Sequence, residues 1–269
     1  MQLRKYVSIF KLTWQQYLAY RLNLFLEVFG GIFQTLITVA VWTLLFRFGS
    51  AQVIAGFSQP EMITYVLGGG VISSFLLLHR QGDDISDDIN KGGLSAWLAK
   101  PVSPNLMWLA KDMCRKYFTF FIGLFAYAVI FWFFAGRLVP PVSVFAAFLL
   151  LFFTLLAALI HFGLFYIFSI MAFWFDQTWG PRTLLRVIME LASGILLPLS
   201  LFPAGWLQFL NLLPFKFFAY VPMQLYLGNF SATEIAIEFL TAVAWLLIIF
   251  SVSVVLWRRG MKVYSASGI

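Results

Sequence analysis

The chain has 269 residues, of which 62% are hydrophobic and 11% are charged, and its mean hydropathy is +0.90. These values lie far outside the range of soluble domains and predict an integral membrane protein. The formal net charge of +7 is spread over the ends of apolar runs. No basic stripe forms, so the charge predicts contact with membrane lipids and no nucleic-acid partner. The single Cys114 excludes an internal disulfide, and no His/Cys cluster predicts a metal site.

Apolar runs of membrane-crossing length predict one all-α transmembrane domain, residues 1–269, with six spans. The spans are expected at 22–46, 61–78, 117–134, 144–168, 183–199 and 235–257. Ahead of them, residues 1–21 carry apolar side chains at helical spacing with charged and amide side chains in between. This pattern predicts an amphipathic helix at the membrane interface.

The second predicted span contains several small residues, including Gly69 and Ser73. Small residues let helices approach each other closely in lipid, so a helix-packing face is one interpretation. The other is that these residues line a transport path or form a hinge.

The loop of residues 80–105 is the most polar stretch of the chain. Read as a helix, it places Ile85 and Ile89 on one face and the acidic residues on another. The acidic residues are Asp83, Asp84, Asp87 and Asp88. Each like-charged pair four residues apart costs roughly 0.2–0.5 kcal/mol, so the cluster indicates a docking surface, with a solvated loop as the alternative. The helical spacing of the aspartates excludes a calcium-binding loop.

After a glycine pair, the same loop predicts a short helix with an exposed apolar edge made of Leu94, Trp97 and Leu98. These residues are three and four positions apart and therefore share one helical face. Pro101 and Pro104 are expected to end this helix.

Ionisable residues are few inside the later spans. His161 lies in the inner half of the fourth span, where it is either functional or hydrogen-bonded to a neighbouring helix. Arg186 and Glu190 in the fifth span are four residues apart and are expected to pair.

Residues 202–228 are interrupted by Pro203, Pro214 and Pro222, and each apolar piece is too short to cross a bilayer. They predict re-entrant or outer helices between the fifth and sixth spans. A gate on the outer side is one role for this segment, and a fixed lid that braces the last two spans is the other.

The distribution of basic residues orients the predicted spans. With the N-terminus inside, 15 of the 18 Lys and Arg residues fall on the inner side. The positive-inside rule then predicts that both termini and the loop of residues 80–105 are cytoplasmic.

Three separated stretches carry a family resemblance: GGLSAWLAKPVSP at 92–104, GILLPLSLFPAGWLQFLNLLPFKFFAYVPMQLYLG at 194–228, and RRGMKVYSASG at 258–268. In this order they resemble permease subunits of type-2 (exporter-type) ATP-binding-cassette transporters. The resemblance implies a dimer of permeases, identical or related, with a separate ATPase subunit that holds ATP and Mg. It also implies that the segment of residues 80–105 couples to that ATPase and that the protein lies in a bacterial cytoplasmic membrane.

The missing motifs agree with this interpretation. The chain has no G-x-x-x-x-G-K-[ST] phosphate loop and no hydrolase motif, so no enzymatic activity and no cofactor are expected in it. A drug-like or amphiphilic substrate is expected, and a lipid-linked glycan or other polysaccharide is the alternative. A proton-coupled transporter or a membrane scaffold without an ATPase partner remains the alternative from another class.

Overall fold

The computed structural model describes residues 2–19, 21–49, 52–76 and 83–265. Within these ranges the chain forms helices, short 3-10 turns and one antiparallel hairpin, β1 (Val53–Ile54) with β2 (Phe57–Ser58), which agrees with the all-α prediction. The helices are α1 (Gln2–Ala19), α2 (Arg21–Phe48), α3 (Gln59–Leu76), α4 (Asp83–Asn90), α5 (Gly93–Leu98), α6 (Pro104–Phe134), α7 (Val144–Ile170), α8 (Trp179–Ala192), α9 (Ala204–Leu212), α10 (Tyr220–Leu227) and α11 (Ala232–Val263).

Four helices of the described ranges, α2, α6, α7 and α11, are long and apolar enough to cross a membrane. Their mean hydropathies lie between 1.9 and 2.6, so the chain is a multi-pass membrane protein. They contain the first, third, fourth and sixth predicted spans. α6 begins at Pro104, well before the predicted start of the third span. This proline therefore starts a helix instead of ending one, because the first helical position needs no backbone N–H donor.

α3 covers residues 61–76 of the second predicted span, whose last two residues lie outside the described ranges. It lies at the centre of the bundle, in contact with α2, α6, α7 and α10. Twelve of its 18 residues are buried. A Cβ atom at Gly70 would press on Thr35 and on the Tyr127 hydroxyl, and Gly69 lies against Ala219. These contacts support the helix-packing interpretation for the glycines of this span.

The fifth predicted span is not one continuous helix. α8 ends at Ala192, and Gly194 follows with a φ of +85°, a conformation that stops a helix and favours glycine. The Tyr65 hydroxyl donates a hydrogen bond of 2.7 Å to the Gly194 carbonyl and holds this turn. With 14 residues, α8 is about 21 Å long, which is shorter than the hydrocarbon core of a bilayer.

The segment that follows α8 is broken into short helical pieces, as its prolines predict. α9 begins after Pro203, a 3-10 turn covers Pro214–Phe218, and α10 follows. Pro222 lies inside the first turn of α10, where its missing N–H interrupts nothing, so this proline does not separate two pieces. We call the residues 199–228 the broken-helix end of the bundle.

Candidate coupling surface and membrane cleft

α4 and α5 fold onto the opposite end of the bundle. Ile85 and Ile89 of α4 are both 5% exposed and form a cluster with Met107, Trp108 and Tyr166 of α6 and α7. The two-faced helix predicted for this stretch is thus present, with its apolar face buried against two long helices.

Three of the four aspartates have partners within the chain. Asp88 accepts a hydrogen bond of 2.8 Å from the Trp108 indole, and Asp87 forms an ion pair of 2.8 Å with Lys91. An Asp84 oxygen lies 3.7 Å from the Arg115 guanidinium. The side chain of Asp83 lies outside the described part of the chain. Asp84 and Asp87 remain more than half exposed, so these two form the accessible acidic surface of α4 among its described side chains.

The predicted apolar edge of α5 is only partly exposed. Leu94 is fully buried in the cluster under α4, so its expected place on an exposed edge is wrong. Gly92, in the left-handed conformation with φ of 76°, turns the chain back and aims the first turn of α5 inward. The exposed part of the edge consists of Trp97, which is half-buried, and Leu98, which is 43% exposed.

Two ammonium groups flank the ring of Trp97. The Lys100 and Lys111 nitrogens lie 4.2 and 5.3 Å from the ring centroid, within the range of cation–π contacts. These contacts hold the indole in place at the surface, and they give the rim around it a positive charge. We call Trp97, Leu98 and these two lysines the Trp97 surface.

Polar contacts tie α4 and α5 to several parts of the bundle. The Ser95 hydroxyl lies 2.9 Å from the Tyr264 hydroxyl, which follows α11. The Asn90 amide donates to the Asp176 carbonyl at 2.8 Å, beyond the end of α7. Lys5 of α1 donates to the Pro101 carbonyl at 3.0 Å. A displacement of α4 and α5 would therefore reach α1, α6, α7 and α11.

α1 packs along the first half of α6. The Trp14 ring meets the Phe118 ring edge-on at 4.8 Å, and the Tyr17 hydroxyl accepts a hydrogen bond of 2.8 Å from Arg115 Nε. Burial raises the pKa of the Tyr17 phenol, and the nearby Arg115 charge lowers it by less. The phenol thus stays neutral as an acceptor for Arg115, which also faces Asp84.

A second region is a polar cleft among the long helices. It is lined by side chains of α2, α3, α6 and α8, and it includes Ser73 and Glu190 from the set predicted to line a path or gate. Glu190 Oε1 lies 4.0 Å from Arg186 Nε, so the two residues pair as their four-residue spacing predicted. The other polar groups around the cleft are Gln34, Thr35, Thr38, Ser74 and Tyr127.

The structure does not bring the remaining predicted path and gate residues into this cleft. His161 is buried in the core, with its ring centroid 4.8 Å from that of Phe165 and 5.6 Å from that of Phe218. Pro203 and Pro214 lie at the broken-helix end, and Gly69 faces Ala219.

Sequence reasoning missed the contribution of α2 to the cleft. One stretch of this helix is apolar except for three polar residues, Gln34, Thr35 and Thr38. Thr35 and Thr38 lie one and four residues after Gln34. That pattern places them on adjoining faces of a span, where polar groups favour a helix contact or a cavity over lipid.

The fold defines a class of protein: a multi-pass helical membrane protein with a polar helix pair folded onto one end and a polar cleft between its helices. Among the residues that the structure describes, no group of three or more His, Cys, Asp or Glu side chains is placed to hold a metal ion.

The chain belongs to the ABC-2 family transporter proteins, because the model of that family matches residues 31–268. This match confirms the resemblance carried by the three motifs. The chain is accordingly a membrane permease component of an ATP-binding-cassette transporter and not itself the ATPase, and such permeases work with an ATPase partner. No curated protein matches the sequence.

Proposed function

We propose that the chain is one of two permease subunits, identical or related, of an ATP-driven exporter in a bacterial cytoplasmic membrane. It crosses the membrane six times, with both termini cytoplasmic, and a separate ATPase subunit supplies the energy from ATP and Mg. α3, and α8 together with the turn and 3-10 turn that follow it, are proposed to complete the six spans with the four long apolar helices. The excess of Lys and Arg at the α4–α5 end supports this orientation.

The observation that carries this proposal is the linkage of α4 and α5 to the bundle. The Trp97 surface presents a half-buried indole and an exposed leucine, a combination typical of an anchor that fits a pocket on a partner. Ser95, Asn90 and Asp88 on the other side bind the ends of α11, α7 and α6. A push from a closing ATPase on this surface is transmitted to these three helices.

The cleft supports an amphiphilic or drug-like substrate. Its hydroxyl, amide and carboxylate groups match the polar group of such a molecule, and because its volume in this chain is only about 70 Å³, the apolar body is proposed to lie at the interface with the second permease. Ser73 and Glu190 are proposed to face this substrate. Export is proposed to run between the two permeases, toward the side of the broken-helix end.

The coupling role is tested by measuring how much ATPase is captured by the affinity-tagged chain. Truncation of a central anchor costs about 2 kcal/mol, so Trp97→Ala should weaken association about 30-fold, with a smaller effect of Leu98→Ala. Asp87→Asn removes an exposed charge and should change capture only slightly, by about 0.5 kcal/mol, and only at low salt.

Leu94→Ala is the matched control, because it removes an apolar side chain of the same short helix from the core. It should lower the thermal midpoint of the isolated chain, since emptying a buried leucine site costs about 2–5 kcal/mol. Trp97→Ala should lower that midpoint by less than Leu94→Ala, because the indole is only partly buried. A folded Trp97→Ala protein that captures the ATPase, stimulates ATP hydrolysis and transports like the unmodified chain would contradict the proposed coupling role.

A further inference from the structure

An open groove lies beside the end of α11, away from the cleft and from the Trp97 surface. Its volume is about 550 Å³. Met171, Trp174 and Phe175, which follow α7, form one wall, and Leu256 and Val263 of α11 form the other. Trp174, Phe175 and Val263 are 40%, 55% and 57% exposed, so the groove is an accessible apolar surface.

The groove is held open by packing below it. Gly260 of α11 touches the Phe173 ring so closely that a Cβ atom there would overlap the ring. The Phe173 ring also meets Trp257 edge-on at 5.6 Å and Tyr264 at 5.9 Å. The two walls are thus fixed relative to each other before any ligand binds.

The rim of the groove is positively charged. Arg259 and Lys262 line it and are three residues apart, so they project from one face of α11. Both side chains are exposed, and neither forms an ion pair within the described ranges of the chain. The carbonyl end of the helix carries a partial charge of only about −0.5, and the exposed Asp176 follows Phe175 on the other wall, so with two cations the net charge at this end of the groove stays positive.

The depth of this rim in the membrane indicates the ligand. Glu238 lies near the opposite end of α11, and roughly 20 helical residues cross a hydrocarbon core of about 30 Å. Counted along α11 from Glu238, these roughly 20 residues end near Trp257, which places the polar boundary of the membrane there. Arg259 and Lys262 lie beyond it and therefore fall in the headgroup layer. Trp174 stands beside them, as aromatic residues do at membrane interfaces.

We propose that this groove binds a phospholipid with an anionic headgroup. The phosphate lies against Arg259 and Lys262, and an acyl chain lies between Trp174 and Leu256. An apolar slot with two cations at its polar edge matches the two halves of such a molecule, whereas a soluble ATPase would have to reach into the headgroup layer. Because the wall after α7 also contacts α4, a bound lipid braces the helix that carries the aspartates.

Native mass spectrometry of the full chain in detergent tests this site without the ATPase. The probes are phosphatidylglycerol and phosphatidylcholine with identical acyl chains. The unmodified protein should bind phosphatidylglycerol more tightly. Arg259→Gln and Lys262→Gln should each weaken that binding about fivefold, and the double variant should abolish the preference.

Two controls separate this groove from general attraction to charge. Arg258→Gln removes a neighbouring exposed cation that does not line the groove, and it should leave the preference intact. Trp174→Ala should weaken binding of both lipids and keep their ratio, because it shortens only the apolar wall. Inorganic phosphate should not compete, since it has no acyl chain.

Three outcomes would overturn the inference. The first is equal binding of both lipids by the unmodified protein. The second is an unchanged preference in the double variant. The third is a double variant that keeps its lipid binding but loses capture of the ATPase, which would make the groove a protein interface. Whether Trp97→Ala loses or keeps capture of the ATPase tests only the proposed coupling role and does not test the lipid site.

Discussion

The ion pair at the broken-helix end allows a stability prediction with a defined size. The Lys216 ammonium lies 2.8 and 2.7 Å from the two Glu238 oxygens, and the two side chains are only 5% and 15% exposed. Removing one member leaves the other charge buried and uncompensated, which typically costs about 3–5 kcal/mol. Lys216→Met should therefore destabilise the protein by about this amount.

Thermal unfolding of the purified chain in detergent measures the effect. For a protein of this size, a loss of 3–5 kcal/mol lowers the midpoint by about 10 °C. Lys91→Met is the matched control, because it breaks the pair with Asp87, whose side chains are 73% and 59% exposed. An exposed pair contributes about 0–1 kcal/mol, so this control should unfold within about 3 °C of the unmodified chain.

The double variant Lys216→Met with Glu238→Met completes the cycle. Two apolar side chains in place of the pair should recover most of the lost midpoint, because no unpaired charge remains. A Lys216→Met protein that unfolds at the same midpoint as Lys91→Met would refute the reasoning. So would a double variant whose midpoint falls by the sum of the losses measured for Lys216→Met alone and Glu238→Met alone. A gate that opens by moving the 3-10 turn Pro214–Phe218 away from α11 would separate these two charges, whereas a fixed lid keeps them together.

Two further predictions concern topology and helix contact. Cys114 is buried with its sulfur 3.4 Å from the Phe10 carbonyl, so a membrane-impermeant maleimide should not label it from either side. In a Cys114→Ala background, Asp87→Cys should be labelled only in inside-out vesicles, and labelling in intact cells would reverse the proposed orientation. Gly260→Ala should lower the thermal midpoint through overlap with Phe173, by about 1–3 kcal/mol. Phe173→Ala, added to Gly260→Ala, should remove that overlap. If Gly260→Ala leaves the thermal midpoint unchanged, the close contact is contradicted.

The long helices and the family were predictable because they depend on composition, on helical spacing and on local motifs. The apolar runs identify α2, α6, α7 and α11 without any knowledge of their neighbours. The pair of Asp87 with Lys91 follows from a spacing of four residues on one helix.

Contacts between distant parts of the chain were not predictable from the sequence. Asp88 binds Trp108 on the next long helix, so no local pattern reveals that this carboxylate has a partner. The burial of Leu94 depends on the left-handed turn at Gly92 and on the cluster that α6 and α7 provide. The early end of α8 depends on a turn that Tyr65 stabilises from another helix.

The central position of α3 has a consequence for how the protein enters the membrane. Among the helices of the proposed six-span arrangement, α3 combines extensive burial with three glycines and the polar start Gln59 to Glu61. A helix hidden from lipid does not need an apolar surface, but a translocon selects segments by hydrophobicity. The apolar residues of α3 therefore serve its selection for insertion, whereas its contact with α6 adds stability only after that later helix has entered the membrane.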